Sequence, residues 1–456
     1  MIEDSNDKES VSTRDEPISI LIVNQSFWPD VVATAQQAHD LATALVARGD
    51  RVTCLSSRSL YGRAGSTLPR HEFKDGVEIH RVSSNLFSKR GLLTRTFDYL
   101  RFNVSCTIKA ALLPRHDVVI CLTTPPFVAL VGVILRALKG SKFVLWSMDL
   151  YPDLPVAAGI LKRNGPLHRI LAQLDRLALH SADCVVVLGR CMRARVLEKG
   201  VNPNALRMIH PWSDPNEILS IPARLPGQVI DETPVTTTAV SSQPIQCRPN
   251  RYREAWGIGD RYVIQYSGNF GLGHDAQTIF DCMRALKDVD DIRWVMVGDG
   301  VMKPMLVDFV HRNSITNVII KPYQPRKDLS ALMSLGDMHL VLMAPGFDGV
   351  ILPSKLYGIL AAARPAVFVG PHESEIARVI EEESCGIVVK NGDTLHLQAV
   401  IKMLREDPGL GLKFGQQGRR ALETKYSMQH ACESWYRLLH DLTGNTTMRP
   451  HTNEAS

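Results

Sequence analysis

The sequence has no C-x-x-C pair and no Cys/His cluster at zinc spacing, and its nine cysteines are scattered singly from Cys54 to Cys432. That pattern excludes a zinc ribbon and a disulfide scaffold. It reads as reduced core thiols in a reducing cytosol. Long apolar runs are missing too. The longest, Phe127 to Leu135, ends at Arg136 and is too short to span a bilayer. The first residues, MIEDSNDKES, are polar and acidic with no apolar h-region, so no secretory signal is expected. Charge of one sign is also scarce: 52 Lys and Arg against 47 Asp and Glu leave a net +5. Such an excess suits an anionic ligand or an anionic membrane surface and is too diffuse for nucleic acid.

What is present is alternation. A chain of 456 residues is too long for one ordinary core. From Ile18, short β-branched runs (Ile18–Val23, Arg51–Leu55, Val118–Leu122, Lys142–Trp146, Cys184–Val187, Leu206–Ile209) are separated by intervals that mostly suffice for a crossover helix. In the first interval Ala38, Leu41, Ala42 and Leu45 fall at helical spacing, with Gly49 as a stop. Periodicity lapses over the Pro/Ser/Thr-rich residues 216–252, then resumes at Tyr262–Tyr266, Ile292–Val297, Val318–Ile320, Leu340–Met343, Ala366–Val369 and Gly386–Val389. The expected fold class is therefore α/β, with two Rossmann-like doubly wound domains facing a cleft. The expected divisions are a disordered tail over 1–16, an N-terminal domain over 17–215, a linker with an insertion over 216–255 and a C-terminal domain over 256–414. A helix over 415–442, apolar at Trp435, Leu438 and Leu439, returns to the first domain, and a second tail covers 443–456.

The second domain opens with QYSGNFGLGHD, residues 265–275. Gly268, Gly271 and Gly273 stand between a strand and a helix, where backbone N–H groups can approach a phosphate. The order is G-x-x-G-x-G rather than the dinucleotide fingerprint, so a plain tight turn needing positive φ remains open. Further on, PSKLYGILAAARP (353–365) predicts a helix with Ser354 as its N-cap. Lys355 then sits in the first turn, where a cation is disfavoured by about 0.3–1 kcal/mol unless an anion joins it. The alternative is a solvated lysine.

Together with NQSFWPDVVATAQQAHDLATALVARGDRV, WSMDLYPDLPVAAGIL (146–161), SGNFGLGHD and VMVGDG (295–300), these stretches make residues 18–440 resemble the GT-B, family-4 retaining glycosyltransferases. The resemblance is to those that build bacterial exopolysaccharides of the colanic-acid type. It implies a nucleoside-diphosphate sugar held by the C-terminal domain, at Gly268, Asn269, Gly271, Gly273, His274, Asp348, Ser354 and Lys355. It implies a saccharide or lipid-linked acceptor held by the N-terminal domain, near Ala33 and Thr34, and no cofactor or metal. The chain departs from the family in two places. Asn269 and His274 stand where many members carry Arg and Lys, which leaves Lys355 to meet the phosphate charge. The family's two glutamates fall at Val350 and Gly358, and the nearest carboxylate is Asp348.

Asp149, at a strand end in SMDLYPD, is the candidate catalytic residue, facing the acceptor. Asp153, after Pro152, reads as a helix cap. The D-x-D match in DVDD (288–291) precedes a strand, at the edge of the sheet away from the cleft, and reads as a solvated turn. Residues 87–115 mix Lys89, Arg90, Arg95, Arg101 and Lys109 with apolar residues. They read either as a helix lying on an anionic membrane or as a crossover helix with a basic outer face and no outward hydrophobic excess. Cytoplasmic placement, peripheral to the membrane, follows as an expectation. Two rival functions stay open: a nucleotide-sugar epimerase on the same scaffold, and a non-catalytic member binding a nucleotide or a partner.

Overall fold

The computed structural model describes residues 16–60, 67–83, 92–219 and 250–444. The expected tails, Lys89, Arg90 and most of the expected insertion lie outside them. Fourteen strands form two sheets among these residues. The first contains β1 (Ser19–Val23), β2 (Arg51–Ser57), β3 (His71–Lys74), β4 (Val77–Val82), β5 (Val118–Cys121), β6 (Lys142–Trp146), β7 (Cys184–Val187) and β8 (Leu206–Met208). Its order is β3-β4-β2-β1-β5-β6-β7-β8, parallel except between β3 and β4. The second contains β9 (Tyr262–Ser267), β10 (Ile292–Val297), β11 (Val318–Lys321), β12 (Met338–Leu342), β13 (Ala366–Val369) and β14 (Gly386–Val389), in the order β11-β10-β9-β12-β13-β14. Its pairings are all parallel.

Strands buried on both faces read as continuous apolar runs, and β5 and β7 are buried at every residue. The helix Ala33–Ala47 lies between β1 and β2 and buries Ala38, Leu41, Ala42 and Leu45, its apolar stripe. Gly49 takes φ +105° just beyond it. The one hairpin, β3–β4, has no crossover helix. Asp75 and Gly76 both have positive φ, which turns the chain in two residues.

In doubly wound sheets a ligand crevice opens where the strand order reverses, at the carboxyl ends of the strands. That point lies between β1 and β5 in the first sheet and between β9 and β12 in the second. The latter two strands pair only at Met338↔Ile264 and His339↔Gln265, then part. The Gly268 turn follows β9 directly, so it lies at the second crevice.

The C-terminal segment is two helices rather than one. Pro408–Ala421 runs into a wider π turn at Leu422–Tyr426, and Met428–Thr443 follows. Trp435, Leu438 and Leu439 of the last helix join the first sheet's core. Trp435 stacks obliquely on Trp146 at 4.7 Å between ring centroids, and Trp146 stacks on Trp212 at 5.7 Å. The buried His440 ring meets Asp50 at 3.1 Å, and Asp50 also accepts a hydrogen bond from the backbone of Ile18.

Candidate active site

One cavity of about 1490 Å³ lies between the two sheets. Ser26, Thr124 and Asp149 line it from the first, and Gly268, Asn269, Gly271, Gly273, His274, Ser354 and Lys355 from the second. Ala33 and Thr34, at the start of the first helix, line it as well. Asp348 does not. Its carbonyl accepts a 2.7 Å bond from Arg195 Nε and its carboxylate lies 3.8 Å from the same guanidinium, so it ties the two domains together. Val350, at one missing-glutamate place, is buried and its carbonyl accepts a bond from the backbone of Leu150. Gly358, at the other, lines the cavity with no carboxylate to offer.

Lys355 lines the cavity from the second sheet. Its ammonium stands 3.7 Å from the centroid of the Tyr266 ring and donates to Tyr266 Oη. The phenol in turn donates to the carbonyl of Asn269 at 2.7 Å. No carboxylate pairs with Lys355 among the described residues. Burial alone holds its pKa well below the ordinary lysine value. The side chain is half-buried and packs on the Tyr266 ring. A desolvated cation without a counter-ion favours any anion that enters the cavity.

The surroundings explain the turn. Gly268 has φ +137°, and a Cβ there would stand 3.5 Å from Lys355 Cε. Gly271 and Gly273, in contrast, keep negative or extended φ, which corrects the tight-turn expectation for both. A Cβ at Gly273 would come within 2.8 Å of the Ile351 Cδ1 methyl and 3.1 Å of the Phe347 ring, so those side chains would have to give. The His274 ring closes the turn: Nδ1 accepts from the N–H of Gly271 at 2.9 Å, and Nε2 lies 3.2 Å from Tyr266 Oη. Burial, then the neighbouring Lys355, pushes its pKa down to about 3, so the ring is neutral and adds no positive charge.

Two helix starts differ from expectation. The helix Ala276–Ala285 is capped by Asp275, whose Oδ1 accepts from the N–H of Thr278 and whose Oδ2 accepts from Thr278 Oγ1 at 2.6 Å. A carboxylate therefore already occupies that helix N-terminus. The second helix is short, Lys355–Ala361, and Ser354 at its start is already helical and makes no side-chain cap. In the turn itself the N–H groups of Gly268, Phe270 and Gly271 are bonded within the protein, to Val297, Asp299 and His274.

Asp149 follows β6 and lines the cavity beneath it. Thr123 Oγ1 accepts from the N–H groups of Met148 and Asp149 and fixes this turn. Burial raises the Asp149 pKa to about 6, and no cation or donor meets its carboxylate among the described residues. Asp153 is not a cap. It opens the helix Asp153–Ala157 behind Pro152 and pairs with Lys199 at 2.6 Å. The D-x-D residues stay at the far end of β10, where Asp291 pairs with Arg405.

Three residues were not singled out from sequence: Arg326 and Asp40, which line the cavity, and Tyr266 just behind it. Tyr266 is the platform of Lys355; its signal was a tyrosine one residue before a strand's glycine turn. Arg326 reaches across the cavity mouth to Glu217 at 2.5 Å and Asp40 at 3.5 Å. Asp40, also bonded by Trp212 Nε1, has its pKa raised to about 6 by burial despite Arg326. Arg326 is thus a paired cation, unlike Lys355. Nothing in its PRKD context marked it.

Two doubly wound domains with a shared cavity at their switch points define the GT-B class of fold. Residues 33–212 match a glycosyl transferase 4-like domain. It is similar to the glycosyltransferase WbjE of Pseudomonas aeruginosa, 28% identical over 76% of this chain and 79% of the relative. It is also similar to WcaI of Escherichia coli K12, described as a colanic acid biosynthesis glycosyl transferase, 23% identical over 80% of this chain and 86% of the relative. Among solved structures, Thermosynechococcus elongatus sucrose-phosphate synthase superposes with a TM-score of 0.72 at 13% identity, over 94% of this chain and 99% of its own. HepE of Anabaena in complex with UDP-glucose gives 0.66 at 13% identity, over 93% and 100%.

Proposed function

We propose that the chain transfers a sugar from a nucleoside-diphosphate sugar to a saccharide acceptor during assembly of a cell-surface polysaccharide, with retention of the anomeric configuration. The observation that carries this is Lys355: a half-buried cation with no carboxylate partner among the described residues, packed on Tyr266 beside a positive-φ glycine, in a cavity shared by both domains. Its ammonium meets the donor diphosphate, and the N–H of Asn269 approaches the same oxygens, that of Gly268 being bonded to the Val297 carbonyl. The structures of HepE with UDP and UDP-glucose support a nucleotide-sugar donor, and the description of WcaI supports the polysaccharide setting.

In this reading the acceptor hydroxyl enters from the first domain, beside Asp149. The bond from the anomeric carbon to the acceptor oxygen forms on the face from which the diphosphate leaves, and a diphosphate oxygen takes the hydroxyl proton. Asp149 orients the acceptor and stabilises charge at the anomeric carbon. With Lys355 as the counter-charge no metal is required, so chelation with EDTA should leave transfer unchanged.

Titration with UDP and GDP, followed by an assay for donor hydrolysis and transfer, tests the proposal. Binding of one nucleotide with turnover of its sugar is the expected result. Binding without turnover on any acceptor favours a non-catalytic member, and interconversion of the donor sugar favours an epimerase.

A further inference from the structure

Three neighbouring helices cover one flank of the first sheet: Leu92–Leu112, Ala129–Lys139 and Pro166–Ser181. A crossover helix normally turns its apolar stripe inward and a polar face outward. These do otherwise. On the first, Leu100 (61% exposed), Val104, Ile108 (58%) and Leu112 recur every fourth residue on the outside, while Phe102, Cys106 and Ala110 fill the core. This reverses the expectation of a basic outer face with no outward hydrophobic excess. On the third, five leucines and an isoleucine occupy sixteen residues, yet only Ala178 and Leu179 are buried, and Ile170 is 59% exposed. The middle helix adds Leu138 at 69%.

Charge on the flank is one-sided. The three helices carry seven Lys and Arg against two acids. Asp98 is buried, and Asp175 is held 2.7 Å from Lys199, whereas Arg169 and Arg176 are exposed. The flank is also continuous with the cleft: Leu100, Ile108, Leu167 and Leu174 line the same cavity as Lys355 and Gly268. Among the described residues no helix is long and apolar enough to cross a membrane.

We propose that this flank docks on an anionic bilayer leaflet, its apolar side chains entering the acyl boundary and its arginines meeting lipid headgroups. The groove between the first and third helices then opens from the leaflet into the cleft. This route brings an acceptor carried on a hydrocarbon anchor to the sugar without leaving the membrane. The acceptor clause rests on the proposed sugar transfer; the docking does not.

Flotation of the full-length protein with vesicles separates the two. Binding to phosphatidylglycerol-containing vesicles, weaker in high salt and much weaker on pure phosphatidylcholine, is expected. The triple variant Leu138→Ser, Ile170→Ser, Leu177→Ser changes exposed residues outside the cavity lining and should lower partitioning at least about tenfold. Its melting curve and nucleotide affinity should match the parent. If it fails to fold, Arg169→Glu with Arg176→Glu serves instead and should lose binding to anionic vesicles. Absence of flotation at low salt, or flotation that ignores both variants, overturns the proposal. So does a concentration-dependent dimer of the parent that the triple variant dissociates, since a second copy would then cover the flank.

Discussion

At the scale of single residues, the cleft pairs two groups whose charges burial opposes: Lys355 is pushed toward neutrality and Asp149 toward protonation. Each gains from a ligand that restores its charge. For Asp149, at a pKa of about 6, the sign is definite. The neutral acid is favoured in the fold, so this group's contribution to stability is present below its unfolded value and lost as pH rises through about 6. Catalysis needs the opposite form. The turnover number kcat should therefore fall as pH drops through about 6, and Asp149→Asn should abolish that limb. The same variant should lower kcat by about 10²-fold or more, as for a displaced positioning group, with donor affinity unchanged. An equal loss of donor affinity would assign the residue to folding or domain closure. The role of Lys355 was half legible. Its place in a first turn raised the question, but its ring partner lies 89 residues earlier and only the fold brings them together.

At the scale of elements, the strands were readable because β-branched runs buried on both faces have few alternative explanations. The β3–β4 hairpin was not read although Asp75-Gly76 is a strong turn signal, because β3, HEFK, carries no buried apolar run. The Asp275 cap was equally present, three residues before Thr278. Outward exposure of the Leu92–Leu112 stripe was not readable, since an apolar residue every fourth position looks the same whether core or membrane receives it. At the glycine turn only Gly268 of the three glycines takes positive φ. Gly268→Val should strain a positive φ by about 1–3 kcal/mol and crowd Lys355, weakening nucleotide binding while circular dichroism stays native. Normal nucleotide affinity in that variant would make the turn merely structural. The last helix supports the acceptor side through the Trp435–Trp146 contact, three residues ahead of Asp149. Trp435→Ala should cost about 3–5 kcal/mol in denaturant unfolding. A cost under about 1 kcal/mol would show that the helix does not belong to the first domain's core.

At the scale of the molecule, the two domains meet through a few side chains that frame the cavity. Arg190 donates to the buried Glu375 and to Glu382 across the boundary, Arg195 reaches Asp348, and Arg326 spans Asp40 and Glu217. Each of these cations has an acidic partner, whereas Lys355 has none among the described residues. That difference is the core of the functional account, and one measurement addresses it most directly. Isothermal titration of wild type and Lys355→Ala with UDP and GDP should show a loss of about 1.5–3 kcal/mol in binding for the preferred nucleotide, the worth of a charge-assisted hydrogen bond. Equal affinity of the two proteins would contradict the account.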